Sequence, residues 1–139
     1  MIVNPYQELM SLHDMYIESI EVKESDAYIR LNQAYFISGN EDYVLENPTI
    51  IARDLITIET NSDYPIRIKL ISDNKVINLS YEEIDKYSFG ILEEAYGFGL
   101  IHFYGYATID DRSYDFLMDF HFCGNLEIKW DDKYLVEAK

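Results

Sequence analysis

The chain has 139 residues, 48% of them hydrophobic and 27% charged, the proportions of a globular protein long enough to bury roughly two thirds of its unfolded surface. A disordered tail, a collagen-like rod and a disulfide scaffold are excluded. Twenty-six acids against eleven bases leave a net charge of −15 and a pI near 4.3, which repels a phosphate backbone or an anionic membrane and complements a basic protein partner.

Cys123 is the single cysteine, so no intrachain disulfide can form, which suits a reducing cytoplasm. The opening residues lack the basic and apolar regions of a signal peptide. No window approaches the ~20 apolar residues of a spanning helix. There is no repeat, no low-complexity tract and no linker. The expectation is one cytoplasmic domain over 1–139, with no nucleic-acid or membrane partner.

Asn4, Pro5 and Gln7 predict a short helix, with Leu9 and Leu12 facing the core. The period then changes to two. Ile20 and Val22, then Ile29, Leu31, Tyr35 and Ile37, predict a hairpin of strands over about 16–22 and 27–37, all four of the latter sharing one parity. Residues 38–48 read as a polar loop. Residues 49–60 are β-rich, 61–65 turn the chain, and Ile66, Ile68 and Leu70 alternate with Arg67 and Lys69 as a half-buried strand. Asp73-Asn74-Lys75 is a turn, after which 76–79 returns.

Ser80 and Glu83 form a second capping box, and Ile84, Tyr87, Leu92 and Ala95 follow at helical spacing toward Gly97. This predicts the main helix, broken at Gly90. Farther on, Ile101, Phe103, Gly105, Ala107 and Ile109 share one parity, as do Tyr114, Phe116, Met118, Phe120 and Phe122. A four-residue loop setting Ile109 opposite Tyr114 matches small side chains to large ones. Gly124-Asn125 fits a turn, and Leu126, Ile128 and Trp130 take the buried parity of the next strand. The fold class is therefore mainly β: an antiparallel sheet domain, sandwich or partly open barrel, with one or two short helices.

In that register the opposite face sets His102 across from His121, Tyr104 from Asp119, Tyr106 from Leu117 and Leu100 from Cys123. Paired Cβ atoms about 5 Å apart would let two imidazoles share a metal, with Cys123 or Asp119 as a further ligand. Hence one functional alternative is a metal-dependent or Cys–His enzyme built on His102, His121 and Cys123. Against it, no paired-ligand spacing occurs. His13-Asp14 is similar to a metal phosphohydrolase dipeptide without its partner ligands. Gly97-Phe98-Gly99 lacks the third glycine and the Lys-Ser/Thr of a phosphate loop. Asp110-Asp111 and Asp131-Asp132 suit turns. The spacings assign no catalytic residue, no cofactor and no metal.

Thirteen tyrosines are the other departure from the ordinary. Tyrosine offers wide contact area at little entropic cost and is enriched at interfaces. Tyr104 and Tyr106, beside Asp115 and Asp119, predict an acidic aromatic face and are the candidate partner-binding residues.

Leu12-His13-Asp14 followed by Ile17 and Ile20 resembles the "LHD-x-x-I-x-x-I" start of a group of small bacterial proteins. Gly124-Asn125-Leu126-Glu127-Ile128, with Leu135-Val136-Glu137 after it, resembles their "G-x-L-E-I" close. These are uncharacterised or immunity-type proteins of polymorphic toxin systems. The resemblance implies a small, acidic, β-rich cytoplasmic protein that neutralises a toxin domain by binding it, and carries no catalytic residue with it. The function expected is thus non-catalytic binding of a basic partner, with a self-associating accessory subunit as a further alternative. The oligomeric state is open.

Overall fold

The computed structural model describes residues 1–2, 10–38, 40–56 and 66–136. The expected turn at 61–65 lies outside them, as does the expected helix up to residue 9; its remaining residues Met10 and Ser11 are strand. The described residues form β1 (Met10–Ser11), β2 (Tyr16–Lys23), β3 (Asp26–Leu31), β4 (Gln33–Ser38), β5 (Glu41–Glu46), β6 (Thr49–Ala52), β7 (Ile66–Ser72), β8 (Lys75–Leu79), a 3-10 helix (Tyr81–Lys86), β9 (Ser88–Gly97), β10 (Leu100–Ile109), β11 (Arg112–His121), β12 (Leu126–Lys129) and β13 (Asp132–Leu135). No described helix is long and apolar enough to cross a membrane.

The strands build two open antiparallel sheets. The larger runs β12-β6-β3-β2-β9-β10-β11-β7-β8, and the smaller β1-β4-β5-β13. Short turns set these neighbours. Asp73 and Asn74 both take positive φ, as does Asp110, a conformation that Asp and Asn tolerate because their side chains bond locally. The large sheet curls round on itself. Beyond β6, Leu55 bridges to Phe122 beyond β11, and Ile56 N–H donates to His121 O.

One core fills the interior. Ile29, Ile50 and Ile128 come from one flank of the large sheet, Phe89, Phe103, Phe116, Met118 and Phe120 from the other, and Ala34, Phe36 and Leu45 from the small sheet. Rings interlock edge to face, Phe89 on Phe116 at 5.0 Å and Phe103 on Phe120 at 6.0 Å. Each such phenylalanine contributes about 2–3 kcal/mol of burial. Trp130, half-buried, joins the two sheets through Phe36 at 5.8 Å. The alternation over 101–122 therefore faces inward as expected.

Four expectations are corrected. The long strand over 27–37 breaks at Asn32, which bonds Tyr16 through both its amide N–H and its side-chain oxygen. The chain changes sheets there, so Ala34 and Phe36 turn inward and Tyr35 and Ile37 outward. The supposed loop at 38–48 contains β5, paired along β4. The helix expected from Ser80 to Gly97 shrinks to a 3-10 helix over Tyr81–Lys86, and β9 follows. Finally, the hairpin loop is two residues long, so Ile109 pairs with Arg112, not Tyr114. A slip of two residues preserves which face is buried. It leaves the core intact and re-pairs the outside.

β9 pairs with β10 in two registers. Glu93 faces Tyr104 but Ile91 faces Gly105, leaving Leu92 as the extra residue of a bulge. The bulge reverses the parity of the strand. Phe89 and Ile91 point inward before it, and Glu94 and Tyr96, opposite Phe103 and Ile101, do so after it.

Candidate functional site

The outer faces of β9, β10, β11 and β7 form a continuous surface of three rows. The first is Ala95, His102, Asp119 and Arg67; the second Glu93, Tyr104, Leu117 and Lys69; the third Gly90, Tyr106, Asp115 and Ile71. All four candidate partner-binding residues, Tyr104, Tyr106, Asp115 and Asp119, lie on this face. Tyr106 is paired with Asp115 rather than with Leu117, and Asp119 with His102 rather than with Tyr104.

Tyr106 is held by its surroundings. Its ring lies over Gly90, where a Cβ would sit 2.4 Å from the ring's Cζ. Its hydroxyl donates to Tyr16 Oη at 2.8 Å, the rings edge to face at 6.2 Å. That hydrogen bond, then partial burial, raises its pKa above the ordinary phenol value.

The corrected register ends the direct pairing of His102 with His121, leaving them diagonal neighbours on one face. His121 faces Leu100, and His102 directly faces Asp119, its Nδ1 in hydrogen-bond contact with the carboxylate, both side chains one-third exposed. Cys123 lies beyond the end of β11, exposed, its amide tied to Asp54 O. Among the described residues no group of three His, Cys, Asp or Glu side chains is placed to hold a metal. The face is also less acidic than expected, because β7 contributes Arg67 and Lys69 to it.

Two other polar clusters were not anticipated. The first joins the sheets. Glu94, turned inward by the bulge, accepts the Leu12 N–H with both carboxylate oxygens at 2.8 and 2.9 Å. Burial lifts its pKa to about 7, against the lowering effect of that amide. The Tyr96 hydroxyl is enclosed beside it, with no hydrogen-bond partner of ordinary geometry. Burial, then the nearby Glu94 charge, raises its pKa well above the usual value. The His13-Asp14 dipeptide caps this site. His13 Nδ1 donates to Leu92 O, Asp14 N–H to Ile91 O, and Asp14 holds φ at 66°. Its role is thus to anchor the chain between the sheets. The visible signal was Glu94 and Tyr96, two apart and opposite apolar β10 residues, masked by the parity break.

The second cluster is an arginine clamp at the far flank. Arg53 donates to Glu127 at 2.6 Å, to Asp26 at 2.9 Å and to Tyr28 Oη at 3.2 Å. Asp26 also accepts the Asp54 N–H. Both carboxylates are held below their ordinary pKa, Asp26 first by that amide and Glu127 first by Arg53. The clamp ties β3, the end of β6 and β12 together.

Compared with protein-family models, curated proteins and solved structures, the chain finds no match.

Proposed function

We propose that the chain is a non-catalytic binding protein whose partner is a basic protein, in the manner of an immunity protein that neutralises a toxin domain. The observation that carries this reading is where the charge lies. Among the described residues the acids other than the enclosed Glu94 are exposed or only half-buried, so most of the excess behind the net charge of −15 faces solvent. Such a surface accelerates encounter with a basic partner and rejects acidic ones, while a few aromatic anchors hold the complex. The many tyrosines supply anchors of that kind.

The test is an affinity pull-down from native lysate at low and moderate ionic strength, followed by reconstitution from purified components. A single basic partner, bound stoichiometrically and associating more slowly as salt rises, is expected. The reading is overturned if no such partner is recovered at either ionic strength.

A further inference from the structure

We infer that the basic partner docks on the outer face of the small sheet, β1-β4-β5-β13, and not on the tyrosine face of β9–β11. This placement rests on the reading of the chain as a binder of a basic protein. The switch of sheets at Asn32 turns Tyr35 and Ile37 outward, each 44% exposed. Register sets Ser11, Tyr35, Val44 and Tyr134 in one row across the four strands. Tyr134 is 54% exposed. The next row holds Ile37 and Asp42, and the Asp42 carbonyl accepts the N–H of Val136, itself 40% exposed. An outward strand face ordinarily carries polar side chains. Here two tyrosines, an isoleucine and two valines form one apolar stripe.

Charge identifies the occupant. From residue 33 to residue 48 the sequence contains no lysine or arginine. Asp42, Glu46 and Asp132 share the outer face with the stripe. Tyr134 donates to Glu46 at 2.8 Å, which orients ring and carboxylate together. Lys133, the one base within these four strands, has the opposite parity, with its Nζ 4.6 Å from the Tyr43 ring centroid. The β9–β11 face, by contrast, is crossed by Arg67, Lys69 and His102. An apolar stripe whose charged neighbours on the outer face of these four described strands are all acids fits a protein that presents an apolar anchor ringed by lysine or arginine. A second copy of this chain, carrying the same −15, would bring like charges together.

Photo-crosslinking decides the matter. A benzophenone amino acid is placed in the full chain at position 35 or 134, and in parallel at 104 or 106, and adducts formed in native lysate are identified by mass spectrometry. Expected is one basic protein joined through 35 and 134. Once purified, it should lose about tenfold or more in affinity for the Tyr35→Ser/Tyr134→Ser double variant. That variant should keep the wild-type unfolding temperature, and Asp42→Lys, on the same exposed face, should slow association. Tyr104→Ser should bind normally. Crosslinks through 104 and 106 alone overturn the placement and leave the binding reading standing. Adducts to a second copy, to an acidic protein or to nothing overturn both.

Discussion

Glu94 shows how one extra residue sets the chemistry of a side chain. Without the bulge at Leu92 it would point to solvent; with it, the carboxylate is enclosed beside Tyr96 and bonded to Leu12 N–H. Its folded pKa of about 7 stands above the ordinary 4.5. Its favourable contribution is therefore complete below pH 4.5 and lost as pH rises through 7. The gap corresponds to at most about 3 kcal/mol. Glu94→Gln, which keeps an acceptor for Leu12, should remove this slope and be the more stable protein at pH ~8, as urea unfolding at several pH values would show. Two glycines on facing strands should differ sharply. A Cβ at Gly105 would lie 1.9 Å from the Gly90 carbonyl oxygen, whereas one at Gly90 meets only the far end of the Tyr106 ring. Gly105→Ala should cost about 3 kcal/mol or abolish folding, and Gly90→Ala about 1 kcal/mol with loss of the Tyr106–Tyr16 bond.

Among the elements, legibility followed the period. β7, β10, β11 and β12 were readable because each keeps one parity from end to end, and β8 because the Asp73-Asn74 turn precedes it. β9 was not, since the bulge between Ile91 and Glu93 spaces its apolar residues as a helix would. β4 defeats the pattern at the opposite extreme. Ile29, Leu31, Tyr35 and Ile37 share a parity in sequence, but the chain breaks at Asn32 and Gln33 starts a strand in another sheet, a change that no local pattern marks. For the same reason the stripe of Tyr35 and Tyr134 was invisible, while Tyr104 and Tyr106, on a regular strand, were found. The register error came from the turn. Asp110-Asp111 alone makes the reversal, with Asp110 at φ 51°, where a loop twice as long was expected. Asp110→Gly should be neutral or stabilising by about 0.5 kcal/mol and Asp110→Val clearly destabilising, compared by thermal melts. The 3-10 helix has its own test. Tyr81 Oη accepts the Val22 N–H at 3.0 Å and donates to Ile20 O at 3.3 Å, so Tyr81→Phe should cost about 1–2 kcal/mol by leaving those groups unpaired.

For the whole molecule the acids work in two opposed ways. Asp26 and Glu127, held below their ordinary values, contribute stability that is complete above those values and is lost as pH falls. Glu94 loses its contribution as pH rises. Stability should peak at about pH 5, with Arg53→Met flattening the acid limb at a cost of about 1–2 kcal/mol, since these side chains stand partly in solvent. Added salt should stabilise the protein by screening its self-repulsion, seen as a rising melting temperature. The large sheet also has a seam. β2 meets β9 only through Tyr16–Gly90 and Ile17–Phe89; β9 begins at Ser88, and toward Lys23 the 3-10 helix supplies Tyr81, bonded to the β2 backbone at Ile20 and Val22 in place of a neighbouring strand. The sheet is thus a pair of leaves pinned at two places, that short pairing and the Leu55–Phe122 bridge, with a chock driven into the gape. Leaves joined so can breathe between the pins without unravelling. Amide exchange at Val22 should then outpace that of the central β10 amides long before the chain unfolds.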